Sequence, residues 1–376
     1  MFETGYKNIL AQVEAVDPIA YGKTRNYLDG KVTYLSPYIS RGVISTKLIA
    51  ESVLRRGYKP EEIDVFLKEL AWRDYFQQVW KSLGDEIDRD IKQVQERVSN
   101  HLLPIAVVDG KTGIEAVDQG IDRLYKTGYM HNHTRMFVAS LVCNMGRSHW
   151  LTPAKWMYYH LLDADWASNA LSWQWVAGSF SSKKYFVNQE TINRFSGFDQ
   201  KNTFLDRSYE EIKEIPVPEQ LEEISNLELK TLLPKSQAIK LNSDLPIYVY
   251  NFYNLDPAWG TEKPSNRVLL LEPSFFQKYP ISSNTVEFIL KLSRNIPEIQ
   301  IIVGEFDEVF DSRFQSQIHY KEHPTVSHYN GKKHNRDWMF EEVSGYFPSF
   351  FKYWKSVGKI YFESRVCKGK GISKDK

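Results

Sequence analysis

The chain of 376 residues is poor in cysteine, with only Cys143 and Cys367. That excludes a disulfide framework, a four-thiolate zinc site and an iron–sulfur cluster held by one chain's cysteines. A reducing intracellular compartment follows. Charge of one sign is also lacking, because 48 Lys and Arg stand against 47 Asp and Glu. Any contact with a polyanion must therefore come from a local patch rather than from the total. No apolar run approaches the roughly 18 residues needed to span a membrane, and Glu3 and Lys7 break the start of any secretory apolar segment. A soluble, cytoplasmic protein with no membrane partner is expected. There is no internal repeat. Gly and Pro are ordinary and hydrophobic residues reach 42%, which excludes disordered and collagen-like chains.

What the chain has in excess is aromatic surface. Aromatic residues make up 14%, and of ten Trp, seven (Trp72, Trp80, Trp150, Trp156, Trp166, Trp173 and Trp175) precede residue 200. Packing accounts for some of this, but such enrichment also suits a protein that stacks flat rings. Apolar residues recur at helical spacing in "ISTKLIAESVL", "DVFLKELAWRDYFQQVW" and "IEAVDQGIDRLYKTG", so residues 1–205 read as helices joined by short loops. An acidic linker with Pro216, Pro218 and Pro234 fills 206–244. The short β-rich runs "PIYVYN", "RVLLLEP" and "IQIIVGE", with an amphipathic helix "NTVEFILKLSRN" before the third, predict a small α/β unit with a parallel sheet over 245–360. The fold class is therefore mostly α with a C-terminal α/β unit. From Phe351 onward eight Lys or Arg stand against Glu363 and Asp375, and 361–376 reads as a basic tail, either a solvated end or a non-specific nucleic-acid arm.

Helical spacing groups the polar residues. In "FLKELAWRDYF", Glu69, Trp72, Arg73 and Phe76 share a face at i, i+3, i+4 and i+7. That face serves either a buried Arg–Glu pair among packing aromatics or a polar site. "YMHNHTRMF" groups Asn132, Arg135 and Met136. His131 and His133 do not predict a metal site, because residues two apart on a helix point away from each other. In "DADWASNALSWQW", Asn169 and Trp173 share a face, whereas Trp173 and Trp175 point about 200° apart. Ala167, Ser168 and Ala170 leave room for something bulky near the backbone. Asp163 and Asp165 lie at the helix start, as caps or as acceptors for ligand hydroxyls. "VTYLSPYISRGVIS" offers Thr33 and Ser36 beside possible helix starts that suit a phosphate.

Four blocks in order, "LSPYISRGVIS", "ELAWRDYF", "GYMHNHTRM" with "GKTG" upstream, and "DADWASNALSWQW", resemble the flavin-binding domain of the DNA photolyase and cryptochrome family. The resemblance covers about residues 5–200 and implies an all-helical FAD-binding domain. It implies that Tyr21, Thr33, Tyr34, Leu35 and Ser36 hold the FAD diphosphate and its surroundings, with Arg73, Asn132, Arg135, Asp163, Ala164, Asp165 and Asn169 completing the cofactor site. Asn169 would face flavin N5. Trp173 and Trp150 match the first two members of an electron-transfer chain. Val107 stands where the third Trp is expected, so the outer end is missing or rerouted through Trp166 or a Tyr.

Glu69, Trp72, Asn132, Met136 and Trp175 match the residues that face a cyclobutane pyrimidine dimer. Arg73 and His133 are the implied DNA contacts, although His133 replaces a common Arg and weakens that contact. The implied function is light-driven dimer repair by electron transfer from excited reduced FAD. The partner would be dimer-containing DNA, with single-stranded DNA a candidate. The alternative is a cryptochrome-like blue-light photoreceptor acting through a protein partner. No metal is expected. By the resemblance, no counterpart of the usual N-terminal antenna domain is expected ahead of the matched blocks, and the α/β unit, the candidate replacement for it, offers no recognisable site for an antenna pigment.

Overall fold

The structure is a computed structural model that describes residues 2–358. The basic tail expected at 361–376 lies outside them. Six helices position the site: α1 (Asp64–Leu83), α2 (Asn132–Ser140), α3 (Leu151–His160), α4 (Trp166–Ala177), α5 (Ser283–Ser293) and α6 (Phe350–Val357). Each boundary has a local cause. The Asp165 carboxylate accepts the backbone N–H of Ser168 at 2.6 Å and starts α4. Gly178, at φ +89°, ends it in the left-handed region that disfavours a side chain. Ser282 and Ser349 cap α5 and α6 in the same way as Asp165 caps α4. Helix α4 packs against α1, α2 and α3, so it is the centre of the helical half. Trp166, Leu171 and Trp173 on it are at most 2% exposed, and each such buried side chain contributes about 1.5–3 kcal/mol.

Residues 206–244 contain the short helix Tyr209–Glu214, started by a reciprocal Ser208–Glu211 cap, and a two-residue strand paired with Leu103–Pro104. Ile212 and Leu221 are buried, which anchors this segment to the helical half. Beyond it, strands β1 (Ile247–Tyr250), β2 (Asn266–Leu271), β3 (Gln300–Val303), β4 (Ile318–Lys321) and β5 (Lys332–His334) form one parallel sheet in the order β3-β2-β1-β4-β5. This is the order of a doubly wound half, reversing direction between β1 and β4. The three apolar runs read from the sequence are β1, β2 and β3. The polar strands β4 and β5 were not foreseen.

Side chains alternate between the two faces of the sheet. Ile247, Val249, Val268 and Leu270 build one apolar cluster with Ile302 and Ile318. Tyr250, Leu269 and Leu271 face the other way and join the core that also holds Trp166, Trp173 and Phe350. Helical half and sheet therefore share a core. Among the described residues no helix is long and apolar enough to cross a membrane.

Candidate flavin and lesion site

On α1 the expected shared face divides. Glu69 pairs with Arg25, Oε1 to Nε at 3.1 Å, with about a third of each side chain exposed. Burial raises the Glu69 carboxyl above its usual range, and Arg25 opposes that shift. Arg73 turns inward. Its Nη2 lies 3.0 Å from Asp165 Oδ2 and also donates to Ser40 Oγ. Gln77 Nε2 donates to the same Asp165 oxygen at 2.6 Å. The Glu69–Arg73 pair that the spacing allowed is thus replaced by two pairs with other partners. Trp72 is half-buried, and Phe350 of α6 stacks on it at 3.9 Å between centroids and 11° between planes.

Asp163 is 7% exposed and receives Arg135 Nη2 on both oxygens, at 3.1 and 3.0 Å. Burial would raise its carboxyl, but Arg135 and the Ser36 hydroxyl outweigh it and hold it below the usual range. Between the two acids, the Ala164 carbonyl accepts a bond from the fully buried Arg41, whose guanidinium lies 3.5 Å over the Phe252 ring. Arg41 Nε and Nη1 have no hydrogen-bond partner among the described residues. The sequence reading missed this residue; the one signal was an Arg inside "SPYISRG", directly after a helix that packs against the acids.

Two cavities adjoin this network. One of about 640 Å³ is lined by Tyr21, Thr33 and Tyr34 together with Tyr38, Arg123 and Tyr129. Tyr34 adopts φ +53°, unusual for a non-glycine residue, and its hydroxyl accepts a bond from Arg123 at 3.4 Å. The Tyr38 hydroxyl is buried. The volume lies in the range of small-molecule and cofactor sites, and phenol rings beside a guanidinium fit an aromatic, phosphate-bearing ligand. The second, about 100 Å³, is lined by Arg73 and Asp165 with Asn251, His323 and Arg336 from the sheet side. It lies where the carboxyl ends of β1 and β4 diverge. The expected cofactor residues are therefore split: Tyr21, Thr33 and Tyr34 line the large cavity, Arg73 and Asp165 line the small one, and Leu35, Ala164 and Asn169 are buried.

Helix α2 presents Asn132 to solvent and leaves Met136 half-buried. On α4, Asn169 Nδ2 donates to the Ala154 carbonyl at 2.8 Å. Trp173 is 2% exposed with its indole N–H unpartnered, whereas Trp175 is 40% exposed. The opposed directions read from their spacing hold. Trp150 is fully buried and donates from Nε1 to Asp90 at 2.7 Å.

The two expected DNA contacts, His133 and Arg73, are both largely enclosed. His133 is 8% exposed, with Nδ1 2.7 Å from the Asn26 carbonyl and its ring against Phe137 and Phe195. Burial pushes its pKa down. Arg73 has its side chain 16% exposed and is paired with Asp165. Among the described residues, no group of three or more His, Cys, Asp or Glu could hold a metal ion.

Residues 66–251 match the FAD binding domain of DNA photolyase. This stretch belongs to the flavin-binding domain of the photolyase/cryptochrome family. It is 30% identical over 186 residues to the deoxyribodipyrimidine photo-lyase of Alkalihalophilus pseudofirmus, covering 48% of this chain and 39% of that protein. It is 29% identical over 216 residues to that of Agrobacterium fabrum, covering 54% and 45%. Against the cryptochrome DASH of a Synechocystis strain the figures are 27% over 210 residues, 52% and 42%. The chain thus spans less than half the length of these photolyase and cryptochrome relatives. The family match opens inside α1 and closes just after β1, so Tyr21 and the Thr33–Ser36 segment precede it, while α5 and α6 follow it.

Proposed function

We propose that this member of the photolyase/cryptochrome family binds FAD and uses light to split cyclobutane pyrimidine dimers in DNA. The observation that carries the reading is the exposure of five residues on three helices whose cores are otherwise closed. Glu69, Trp72, Asn132, Met136 and Trp175 all stay half-buried or exposed, on α1, α2 and α4, and α4 packs against the other two. Packing alone has no use for a carboxylate, an amide and two accessible indoles there.

When bound, FAD in its reduced form supplies the light-driven electron. Around it, the chain's own groups bind and orient. A flipped-out dimer costs less to extrude than an intact pair because its stacking is already weakened. Trp72 offers it one indole face, since Phe350 holds the other, and Trp175 offers a second indole. Stacking of this kind is worth about 1–3 kcal/mol per base. The Glu69 carboxyl, held by Arg25, bonds the dimer's polar edge and stabilises the charge that develops on it.

The test is anaerobic. Protein with reduced flavin is mixed with an oligonucleotide carrying one thymine dimer and illuminated, and thymine absorbance is followed. Recovery in the light and none in the dark is expected. With FAD bound and reduced, no recovery would end the proposal for this lesion.

A cryptochrome-like photoreceptor is the second reading. It is favoured by the pairing of Arg73 with Asp165 and the burial of His133, which leave neither free for a phosphate. DNA affinity nearly independent of salt would support it, because phosphate contacts release counterions and make binding fall with salt.

A further inference from the structure

The electron path expected to leave the flavin through Trp173 and Trp150 has no aromatic outer member at Val107, which is buried and aliphatic. Trp150 itself leads to His149, at 5.7 Å between centroids, and then to His101, stacked on His149 at 4.8 Å. Imidazole rings are poor one-electron donors, so that direction ends. Another direction holds two oxidisable rings beside one carboxylate. Trp166 stands seven residues before Trp173 on α4, on the same face and about 10.5 Å along the axis. It is fully buried, and its indole N–H donates to Asp88 Oδ1 at 2.7 Å. Tyr279, from the segment just before α5, lies 5.1 Å from Trp166 between ring centroids. Its hydroxyl donates to the other oxygen of the same carboxylate, Asp88 Oδ2, at 3.1 Å. Tyr279 is 3% exposed, while Asp88 is half-buried and keeps contact with water.

We propose that Trp166 and Tyr279 form the outer limb of the electron-transfer chain that starts at Trp173, with Asp88 as the proton acceptor; this rests on the flavin lying beside Trp173. Once Trp173 has been oxidised, by the flavin that would lie beside it or by another oxidant, Trp166 refills Trp173 and Tyr279 refills Trp166. As the electron leaves the phenol, its O–H bond breaks and the proton passes along the existing hydrogen bond to Asp88 Oδ2. A neutral tyrosyl radical and a protonated carboxyl result. A thiol reductant in solution then returns one hydrogen atom equivalent to the tyrosyl.

The arrangement suits the task for a physical reason. A phenol loses its proton on oxidation, and without an acceptor in place the electron would return from Trp166 to the oxidised phenol, leaving the hole on Trp166 as a radical cation. Burial, and after it the neighbouring Asp88 charge, raise the Tyr279 phenol far above its usual pKa. In the resting state the proton therefore stays on oxygen and moves only when the ring is oxidised. Half-exposure of Asp88 lets the proton escape to water and makes the separation last.

The test reads radicals. In flavin-loaded, oxidised protein a laser flash followed by transient absorption and freeze-trapped electron paramagnetic resonance should give a tyrosyl signal that is lost in Tyr279→Phe and in Trp166→Phe. Asp88→Asn, which keeps an acceptor for the Trp166 N–H, should yield a tryptophanyl signal but no tyrosyl one. Flavin-free protein, oxidised by flash-quenched ruthenium tris-bipyridyl, should also place a radical on Tyr279, lost in Tyr279→Phe. That arm separates this relay from the flavin reading, because it needs no FAD. No tyrosyl signal in the wild type under either oxidant, or one that persists in Tyr279→Phe, overturns the proposal.

Discussion

The helical half and the sheet half differ in where their chemistry comes from. In the helical half, functional groups are arranged by spacing along single helices: Asp165 caps α4 and anchors Arg73, and Trp173 and Trp175 diverge because they are two residues apart. In the sheet half the groups that matter act at a distance in sequence. Phe350 stacks on Trp72, Arg336 Nη1 donates to Gln77 Oε1 at 2.6 Å, and Tyr279 reaches Asp88. One half carries the motifs, and the other completes their environment.

Removing a completing side chain should therefore hurt as much as removing a core residue of the helical half. Phe350→Ala deletes a 2%-exposed ring and should cost about 3–5 kcal/mol in urea unfolding. It should also weaken dimer binding while FAD content holds. A loss below about 1 kcal/mol, within the range of ordinary surface substitutions, would break the comparison, since α6 would then be an appendage.

The junction should also show in pH dependence. Asp74, 5% exposed, accepts bonds from Thr46 Oγ1 and the Met339 N–H at 2.8 Å each, and burial pushes its carboxyl up to about 6. Because the folded pKa exceeds the unfolded value, the folded state binds the proton more tightly. That contribution is full below pH about 4 and is lost as pH rises through about 6. Relative to Asp74→Asn, which does not titrate, wild-type stability should fall by about 3 kcal/mol between pH about 4 and about 7. A difference independent of pH would show that the junction tolerates the charge. The smallest effect belongs to a pair within the helical half: Arg25→Gln breaks a third-exposed pair with Glu69 and should change stability by less than about 1 kcal/mol. A larger loss would mean that local pairs also carry the fold.

The same contrast accounts for what was legible. The helices, the divergence of the two indoles and strands β1 to β3 follow from periodicity, which is local. Strand β4, "IHYK", and β5, "KKH", carry too few apolar residues to read as strands. Lysines at the edge strand β5 are what keeps an open edge from pairing with another chain. The burial of His133 was not legible because spacing gives a face but not what covers it, and Phe195 closes that face from 62 residues downstream. Arg41, Tyr279 and Phe350 were invisible as site residues because each owes its role to a partner at least 120 residues away, as in Arg41 with Ala164 and Tyr279 with Asp88.

The central claim is that the exposed polar and aromatic residues on α1, α2 and α4 act on a pyrimidine dimer. Its most direct test compares wild type with Glu69→Ala at equal content of reduced flavin, scoring thymine recovered per flash. The account predicts light-dependent recovery by the wild type and a loss on the order of 100-fold in the variant, the usual scale for removing one group that stabilises developing charge. Equal recovery by both proteins, or none by either, would contradict it.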